Sequence, residues 1–272
     1  MKKYLAAGSA CALICIGLIA WMLVPRLAPK QTVEEIPQVL KAYQQVRSAD
    51  VPPKSSAETK APPAAAPEEA PEAEIEPYVS PIDFAALQEQ TPDIYAWLDI
   101  PGTEVSFPIV QNEDDTYYLT HDIYGSNSAS GAIFTESAYN SRSFDEPITA
   151  VYGHRMYSGE MFGSLQILYS SQQALADHSQ IIVYLPEKEL HYQVFAAVPY
   201  DNRHILYNYG DGTARSMRSF LYSVSSVKSI DAYLDTDAFA ASDDRIIVLS
   251  TCLYGDRNQR FLVVAKQVDP VS

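Results

Sequence analysis

Cysteine is scarce in this chain, with three in 272 residues. Cys11 and Cys15 fall within an N-terminal apolar run, so Cys252 is the one thiol in the remainder of the sequence. No disulfide can form within that remainder, which excludes a small domain held together by disulfides. A lone thiol in such a domain therefore needs a chemical explanation.

Positive charge is also in short supply. The formal net charge of the chain is −15, and from Pro77 onward there are 25 acidic and 11 basic residues, a net charge of −14. Proteins that bind nucleic acid need basic surface to neutralise phosphates. The composition therefore argues against nucleic acid as a partner.

Metal-binding spacings are missing as well. Besides His154, the chain contains His121, His178, His191 and His204, and none of them belongs to an H-E-x-x-H motif or accompanies a C-x-x-C pair. The many acidic residues offer oxygen ligands for calcium, but the sequence has no calcium-loop signature. We predict neither a catalytic metal nor a cofactor.

One long hydrophobic run is present at residues 4–24, where 21 consecutive residues carry no charge. A helix of this length spans a hydrocarbon core about 30 Å thick. Residues 1–25 are therefore predicted to be a short cytoplasmic stub and a transmembrane anchor, with the C-terminal part outside the cell membrane. A cleaved signal peptide is the alternative, although its apolar region normally has about 7–15 residues and ends at a small-residue site.

Residues 26–77 are predicted to be a disordered linker. Pro, Ala and Glu dominate residues 52–77, and Ile75 is the one large apolar residue among them. Such a segment buries too little surface to offset its ordering entropy, so it is expected to be an extended spacer.

Residues 78–272 have the composition of a mostly β domain. Turn-forming clusters separate short runs that are rich in β-branched and aromatic residues. The eight predicted strands are IYAWLDIPGT, VSFPIVQ, GAIFTES, PITAVYGH, QIIVYLP, HYQVFAAVPY, RIIVLSTC and RFLVVAKQV. Eight strands predict a closed or nearly closed sheet.

Two segments in this domain break the strand pattern. One covers residues 170–178, and the other, residues 213–230, indicates a helix with Asp211 or Thr213 as its capping residue. In the second segment apolar residues recur at helical spacing: Met217, Leu221, Val224 and Val227.

Three polar residues lie at the edges of strongly apolar runs: His154, Cys252 and Arg260. A cysteine acts as a nucleophile in its thiolate form, which a nearby cation favours. A histidine can transfer protons to and from reacting groups, and a guanidinium can stabilise an oxyanion. Each residue alone has an ordinary structural explanation. No residue that would complete a catalytic triad with Cys252 and His154 is evident, because Asp256 is equally well explained as a loop acid.

The residues around these three positions resemble those of sortases. VYGHRMYSGEMFGSL is similar to the histidine segment of that family, and IIVLSTCLYGDRNQRFLVVAK is similar to its cysteine and arginine segment. The LSTC sequence, the M-F-G-x-L string at 161–165, the stretch YYLTHDIYG at 117–125 and the long helix before the cysteine strand most resemble class B.

This resemblance implies an eight-stranded sortase-type β-barrel with a few helices. It also implies His154, Cys252 and Arg260 as catalytic residues, and Ser250 and Thr251 as residues that line the sorting-signal groove. Two departures are Val248, where many members have threonine, and a short loop at residues 253–259 that leaves part of the groove undefined.

The reaction that the resemblance implies is cleavage of a sorting signal through a thioacyl intermediate and transfer of the acyl group to an amine. The acceptor is an amine of a cell-wall peptidoglycan precursor or a lysine of a pilin subunit, and the sequence does not separate these uses. Two further alternatives are a thiol peptidase that uses water and a cell-wall binding module with an inert thiol.

Overall fold

The computed structural model describes residues 78–269. The predicted membrane anchor at 1–25 and the predicted linker at 26–77 lie outside the described residues. Between residues 78 and 269 we find no helix that is long and apolar enough to cross a membrane.

Strands dominate the described part of the chain. The sheet is formed by β1 (Ile94–Asp99), β2 (Ser106–Val110), β3 (Ile133–Phe134), β4 (Ile148–Tyr152), β5 (Gln180–Tyr184), β6 (Glu189–Tyr200), β7 (Tyr233–Leu234), β8 (Ile246–Leu253) and β9 (Asp256–Val268).

Eight of these strands close into a barrel. Their order is β5-β1-β2-β3-β4-β8-β9-β6, the β5–β6 pairing closes the ring, and β7 pairs with β6 outside it. The β2–β3 and β4–β8 pairs are parallel, whereas the other pairs are antiparallel. The predicted β-barrel and all eight predicted strands are confirmed. Strand β7 was not predicted, because two residues are too few to show a period.

Short helices connect the strands. They are α1 (Phe84–Gln90), α2 (Leu165–Leu168), α3 (Gln172–Asp177), α4 (Ile205–Tyr209), α5 (Ala214–Ser225) and a 3₁₀ helix (Tyr117–Leu119). The helix predicted at 213–230 is confirmed as α5, although it ends five residues early, and the other break in the strand pattern, at 170–178, contains α3. The Thr213 side chain caps α5 by accepting a hydrogen bond from the Ser216 backbone N–H at 3.2 Å.

The two faces of β8 pack into different hydrophobic clusters. Ile247 and Leu249 belong to the cluster inside the barrel, whereas Ile246 and Val248 belong to an outer cluster that also contains Phe220 of α5. Burial of a large aliphatic or aromatic side chain stabilises a fold by about 1.5–3 kcal/mol. Strand β8 is therefore held on both faces up to the point where its polar residues begin.

Candidate active site

Cys252 and Arg260 lie opposite each other in the β8–β9 hairpin. Their Cα atoms are register partners, and the chain turns between them at residues 254–255. Directly opposed residues on neighbouring antiparallel strands have Cβ atoms about 4.5–5.5 Å apart. The fold thus brings together two of the three residues that the sequence singled out.

The parallel pairing of β4 with β8 brings His154 to the same end of the sheet. Tyr152 is the register partner of Ser250, and the Gly153 N–H donates to the Ser250 carbonyl at 3.2 Å. His154 follows Tyr152 by two residues, just as Cys252 follows Ser250. The three predicted catalytic residues therefore lie at one level, with Cys252 and Arg260 on β8 and β9 and His154 just past the end of the neighbouring β4.

The imidazole of His154 is oriented by a backbone carbonyl. Its Nε2 lies 2.7 Å from the carbonyl oxygen of Leu119, at the end of the 3₁₀ helix. A carbonyl accepts hydrogen bonds only, so Nε2 carries the proton and Nδ1 of the neutral ring is the atom that can receive one. This partner of the histidine could not be recognised from the sequence, because any residue type can supply a carbonyl.

Two glycines fix the position of the histidine segment. Gly131 has a φ of +57°, and an added Cβ would lie 2.4 Å from the Tyr118 carbonyl oxygen and 3.1 Å from Cδ2 of His154. At Gly153 an added Cβ would lie 2.7 Å from the Phe162 ring. A side chain at either position would displace the backbone or the ring against which His154 is placed.

Arg260 is held by its own hairpin. Its Nη1 donates to the Arg257 carbonyl at 3.1 Å and to the Gln259 carbonyl at 3.2 Å. The Nε and Nη2 groups make no hydrogen bond to residues 78–269, so these donors are available for a substrate oxygen. Asp256 accepts hydrogen bonds from Gln259 and Asn258, which lower the pKa of its carboxyl. It makes no hydrogen bond to His154.

Strand alternation separates the two predicted groove residues. Ser250 and Cys252 continue the outer face of Ile246 and Val248, whereas Thr251 continues the inner face. Ser250 and Thr251 are both buried, and the Thr251 hydroxyl has no hydrogen-bond partner among the described residues. Of the two side chains, that of Ser250 shares the face of the cysteine.

The segment that the sequence suggested to be a short loop at 253–259 is instead a tight hairpin. Leu253 pairs with Asp256, and Gly255 adopts a φ of +82°, which allows a two-residue turn and lets both strands extend. A cavity of about 550 Å³ lies beside this hairpin, lined by residues that include Leu253 and Gln259 but neither Cys252 nor His154. It adjoins the site and has the size of a ligand pocket.

Three of the four other histidines have partners of their own. His191 bonds to Glu189, His204 to Glu136, and the His121 ring to the Tyr117 carbonyl. Within 78–269 no group of three or more His, Cys, Asp or Glu side chains is arranged to hold a metal ion. The groups that these side chains do form are smaller than the three or four protein ligands of a typical zinc site.

A closed barrel with a cysteine and an arginine paired on adjacent strands, and a histidine in register with them, matches one enzyme class. The chain belongs to the sortase family, since the model of the sortase domain matches residues 98–268, which contain all three residues. Members of this family are cysteine transpeptidases.

The relatives of this chain are class B sortases. Sortase B of Listeria monocytogenes is 30% identical over 166 residues, which cover 61% of this chain and 65% of the relative, slightly less than two thirds of its length. The X-ray structure of Clostridium perfringens Sortase B matches with a TM-score of 0.59 and 28% identity, covering 68% of this chain and 99% of that one. A Staphylococcus aureus sortase B–substrate complex matches with a TM-score of 0.58 and 26% identity, covering 70% and 85%.

Proposed function

We propose that this protein cleaves a peptide sorting signal through a thioacyl intermediate on Cys252 and transfers the acyl group to an amine. The observation that carries the proposal is the common level of Cys252 on β8, Arg260 on β9 and His154 just past the end of β4. The match to a sortase B whose structure is described as a substrate complex supports a peptide substrate.

The first half of the reaction forms the thioester. The Cys252 thiol gives its proton to Nδ1 of His154, and the thiolate attacks the carbonyl carbon of the scissile amide. The oxyanion that forms is stabilised by free N–H groups of the Arg260 guanidinium. The C–N bond then breaks, and the leaving amine takes the proton from Nδ1 while Nε2 stays bonded to the Leu119 carbonyl.

The second half transfers the acyl group. A neutral amine attacks the thioester carbonyl, and Nδ1 of His154 accepts one of its protons. The oxyanion collapses, the C–S bond breaks, and the proton passes from His154 to the Cys252 sulfur. The new amide is released, and the enzyme returns to its starting protonation.

The predicted groove residues enter this scheme in different ways. The Ser250 side chain lies on the face of Cys252 and is proposed to contact the residues of the sorting signal that precede the scissile bond. Thr251 points into the barrel, so we propose that it supports this stretch of β8 from the interior.

We further propose that residues 1–25 tether the enzyme to the cell membrane and that residues 26–77 hold the catalytic domain away from the bilayer. The 21-residue uncharged run and the Pro/Ala/Glu-rich composition support this arrangement. Fractionation of cells that express the full chain, with and without residues 1–25, tests it. Recovery of both forms in the soluble fraction would contradict it.

The decisive experiment incubates the full chain with candidate sorting-signal peptides and an amine, and follows ligated product by mass spectrometry. The wild type is expected to yield both the ligated peptide and an acyl adduct on Cys252. Cys252→Ala is expected to lose at least about 10³-fold in activity, whereas Ser225→Ala at the exposed end of α5 serves as the matched control. Hydrolysis that gains nothing from added amine would instead indicate a thiol peptidase.

The same assay separates the two biological uses. A peptidoglycan-precursor amine and a pilin peptide that contains a lysine are supplied together at equal concentration. Preferential ligation to the first supports cell-wall anchoring, and preferential ligation to the second supports pilin polymerisation.

A further inference from the structure

Two arginines beside the site lack an ion-pair partner in the described part of the chain. Arg155 follows His154 directly, and Arg257 lies near the hairpin turn. The ion pairs among residues 78–269 use other cations: Arg142, Lys188, Arg203, His191 and His204. Most other lysines and arginines of the described residues also lack an ion pair, so what distinguishes Arg155 and Arg257 is their position beside His154 and the β8–β9 hairpin.

Arg155 stacks on two exposed tyrosine rings. Its guanidinium carbon lies 4.5 Å from the ring centre of Tyr157 and 4.9 Å from that of Tyr254. The two rings are 77% and 69% exposed. The backbone N–H of Tyr254 donates to the side chain of Gln166 in α2 at 2.6 Å, so this contact joins the hairpin to α2. Stacking of this kind holds a guanidinium flat and leaves its edge N–H groups available.

Both arginines act on the same tyrosine. Interaction with Arg257 and with Arg155, which stacks on the ring, lowers the pKa of Tyr157. Two like charges that meet without a carboxylate repel each other, so an incoming anion would be attracted to both. A carboxylate matches the geometry of guanidinium N–H pairs. We refer to Arg155, Tyr157, Tyr254 and Arg257 as the arginine lip.

The arginine lip lies on the acceptor side of the reaction. Along β8, Ser250 comes before Cys252 and Tyr254 comes after it. The proposed acyl chain lies toward Ser250, so the opposite direction is open to the group that leaves and then to the amine that replaces it. Arg155 also adjoins His154, which receives the proton of that amine.

We infer that the arginine lip binds a carboxylate carried by the amine acceptor and thereby selects acidic peptide amines over neutral ones. This inference rests on the proposed transfer to an amine and goes beyond it by naming the charge of the acceptor. The acidic surface elsewhere repels such a molecule, so the lip determines where it is held.

The test compares two acceptors that differ by one charge, Nα-acetyl-lysine and Nα-acetyl-lysinamide, in ligation by the full chain. Arg155→Gln/Arg257→Gln is paired with Arg215→Gln/Arg218→Gln on the exposed surface of α5, which changes the net charge equally. For wild type and control, the ratio of kcat/KM for Nα-acetyl-lysine to that for Nα-acetyl-lysinamide is expected to be about three to ten. The difference should lie in the KM for the acceptor, and the ratio should decline at high salt. The lip variant is expected to show a ratio near one.

Two results would overturn the inference. One is equal use of both acceptors by the wild type, and the other is a preference that the lip variant retains. Failure of the proposed function looks different, because the wild type would then hydrolyse the sorting signal and ligate neither acceptor.

Discussion

The two sides of the site are constructed in different ways. On the histidine side, His154 is oriented by the Leu119 carbonyl and packed against Gly131, both from segments distant in sequence. On the hairpin side, Arg260 bonds to the carbonyls of Arg257 and Gln259, which are its immediate neighbours. Tertiary packing therefore fixes the imidazole, whereas local backbone positions the guanidinium.

This difference matches the tasks of the two groups. A proton-transfer base needs one defined nitrogen pointing at the reacting atoms, so its orientation is best set before substrate arrives. An oxyanion donor must point to the position where the oxyanion forms, and the backbone of its own hairpin can arrange this without distant contacts. The comparison predicts that changes on the hairpin side affect chemistry and changes on the histidine side affect chemistry and stability together.

The largest effect is expected from Arg260→Gln. Loss of one oxyanion donor typically lowers kcat by about 10²–10³-fold, and steady-state hydrolysis of a sorting-signal peptide measures it. Because the Arg260 contacts are local, the free energy of unfolding should change by less than about 0.5 kcal/mol. Arg218→Gln on α5 is the charge-matched control. A lowered unfolding midpoint together with the loss of activity would show that Arg260 has a structural role. The hairpin side would then not differ from the histidine side in how its changes affect stability.

Gly131→Ala is expected to affect both properties. The positive φ and the 2.4 Å approach to the Tyr118 carbonyl oxygen should cost about 2–3 kcal/mol of stability. The displaced ring of His154 should lower kcat about tenfold or more. Urea unfolding and peptide hydrolysis measure the two effects.

Gly255→Ala is the matched control on the hairpin side. Its φ of +82° is equally unfavourable for alanine, but an added Cβ meets nothing within 4 Å. Only the backbone cost of about 1 kcal/mol should remain. Equal losses at Gly131 and Gly255 would mean that close packing does not hold the histidine side.

The sequence predicted most of the barrel, and it singled out the three residues that the structure brings to one level. The strands were predictable because runs such as IIVLST and FLVVAK carry their β preference locally. Cys252 and Arg260 were predictable because each borders such a run and belongs to a family-like segment. The helix before the cysteine strand was predictable from apolar spacing at Met217, Leu221 and Val224, which are all buried.

The supports of the site were not predictable from the sequence. The Leu119 carbonyl is a backbone group, so no residue type indicates its role. The need for glycine at 131 arises from the approach of residue 118 and of the His154 ring, which are tertiary contacts. The Arg155 stack likewise joins a loop and a hairpin 99 residues apart in sequence. The short turn of that hairpin depends on the positive φ of Gly255.

A smaller effect is expected from Thr251→Val, on the strand between the two sides. Thr251 is 2% exposed, and its hydroxyl has no partner within residues 78–269. A buried hydroxyl without a partner costs about 1–3 kcal/mol, so the similarly shaped valine should raise stability by about 1 kcal/mol. Chemical unfolding measures the gain. A loss of stability would show that the hydroxyl is satisfied in solution, for example by a bound water.

The smallest effect concerns Glu136, which lies on the histidine side beside Tyr152. Burial raises the pKa of its carboxyl, and the interaction with His204 offsets this in part. His204 donates from Nε2 at 2.9 Å, and its Nδ1 accepts the Tyr207 N–H at the start of α4. Burial outweighs this contact, so the ionised carboxylate is incompletely compensated.

The sign of the pH dependence follows from that raised pKa. A carboxyl that binds its proton more tightly when folded lowers stability as the pH rises from the unfolded pKa of about 4.5 through the folded one. Glu136→Gln keeps an acceptor for His204 and removes the charge. It should therefore be more stable than the wild type near pH 7 by a few tenths of a kcal/mol, reduced by solvent screening. The difference should vanish below about pH 4, where both side chains are neutral.

Thermal unfolding across this pH range measures the difference in stability, with Glu104→Gln at an exposed position as the control. If Glu136→Gln were less stable than the wild type at pH 7, the charged carboxylate would stabilise the contact between the end of β3 and the start of α4. The stability of the histidine side would then depend on charge as well as on packing.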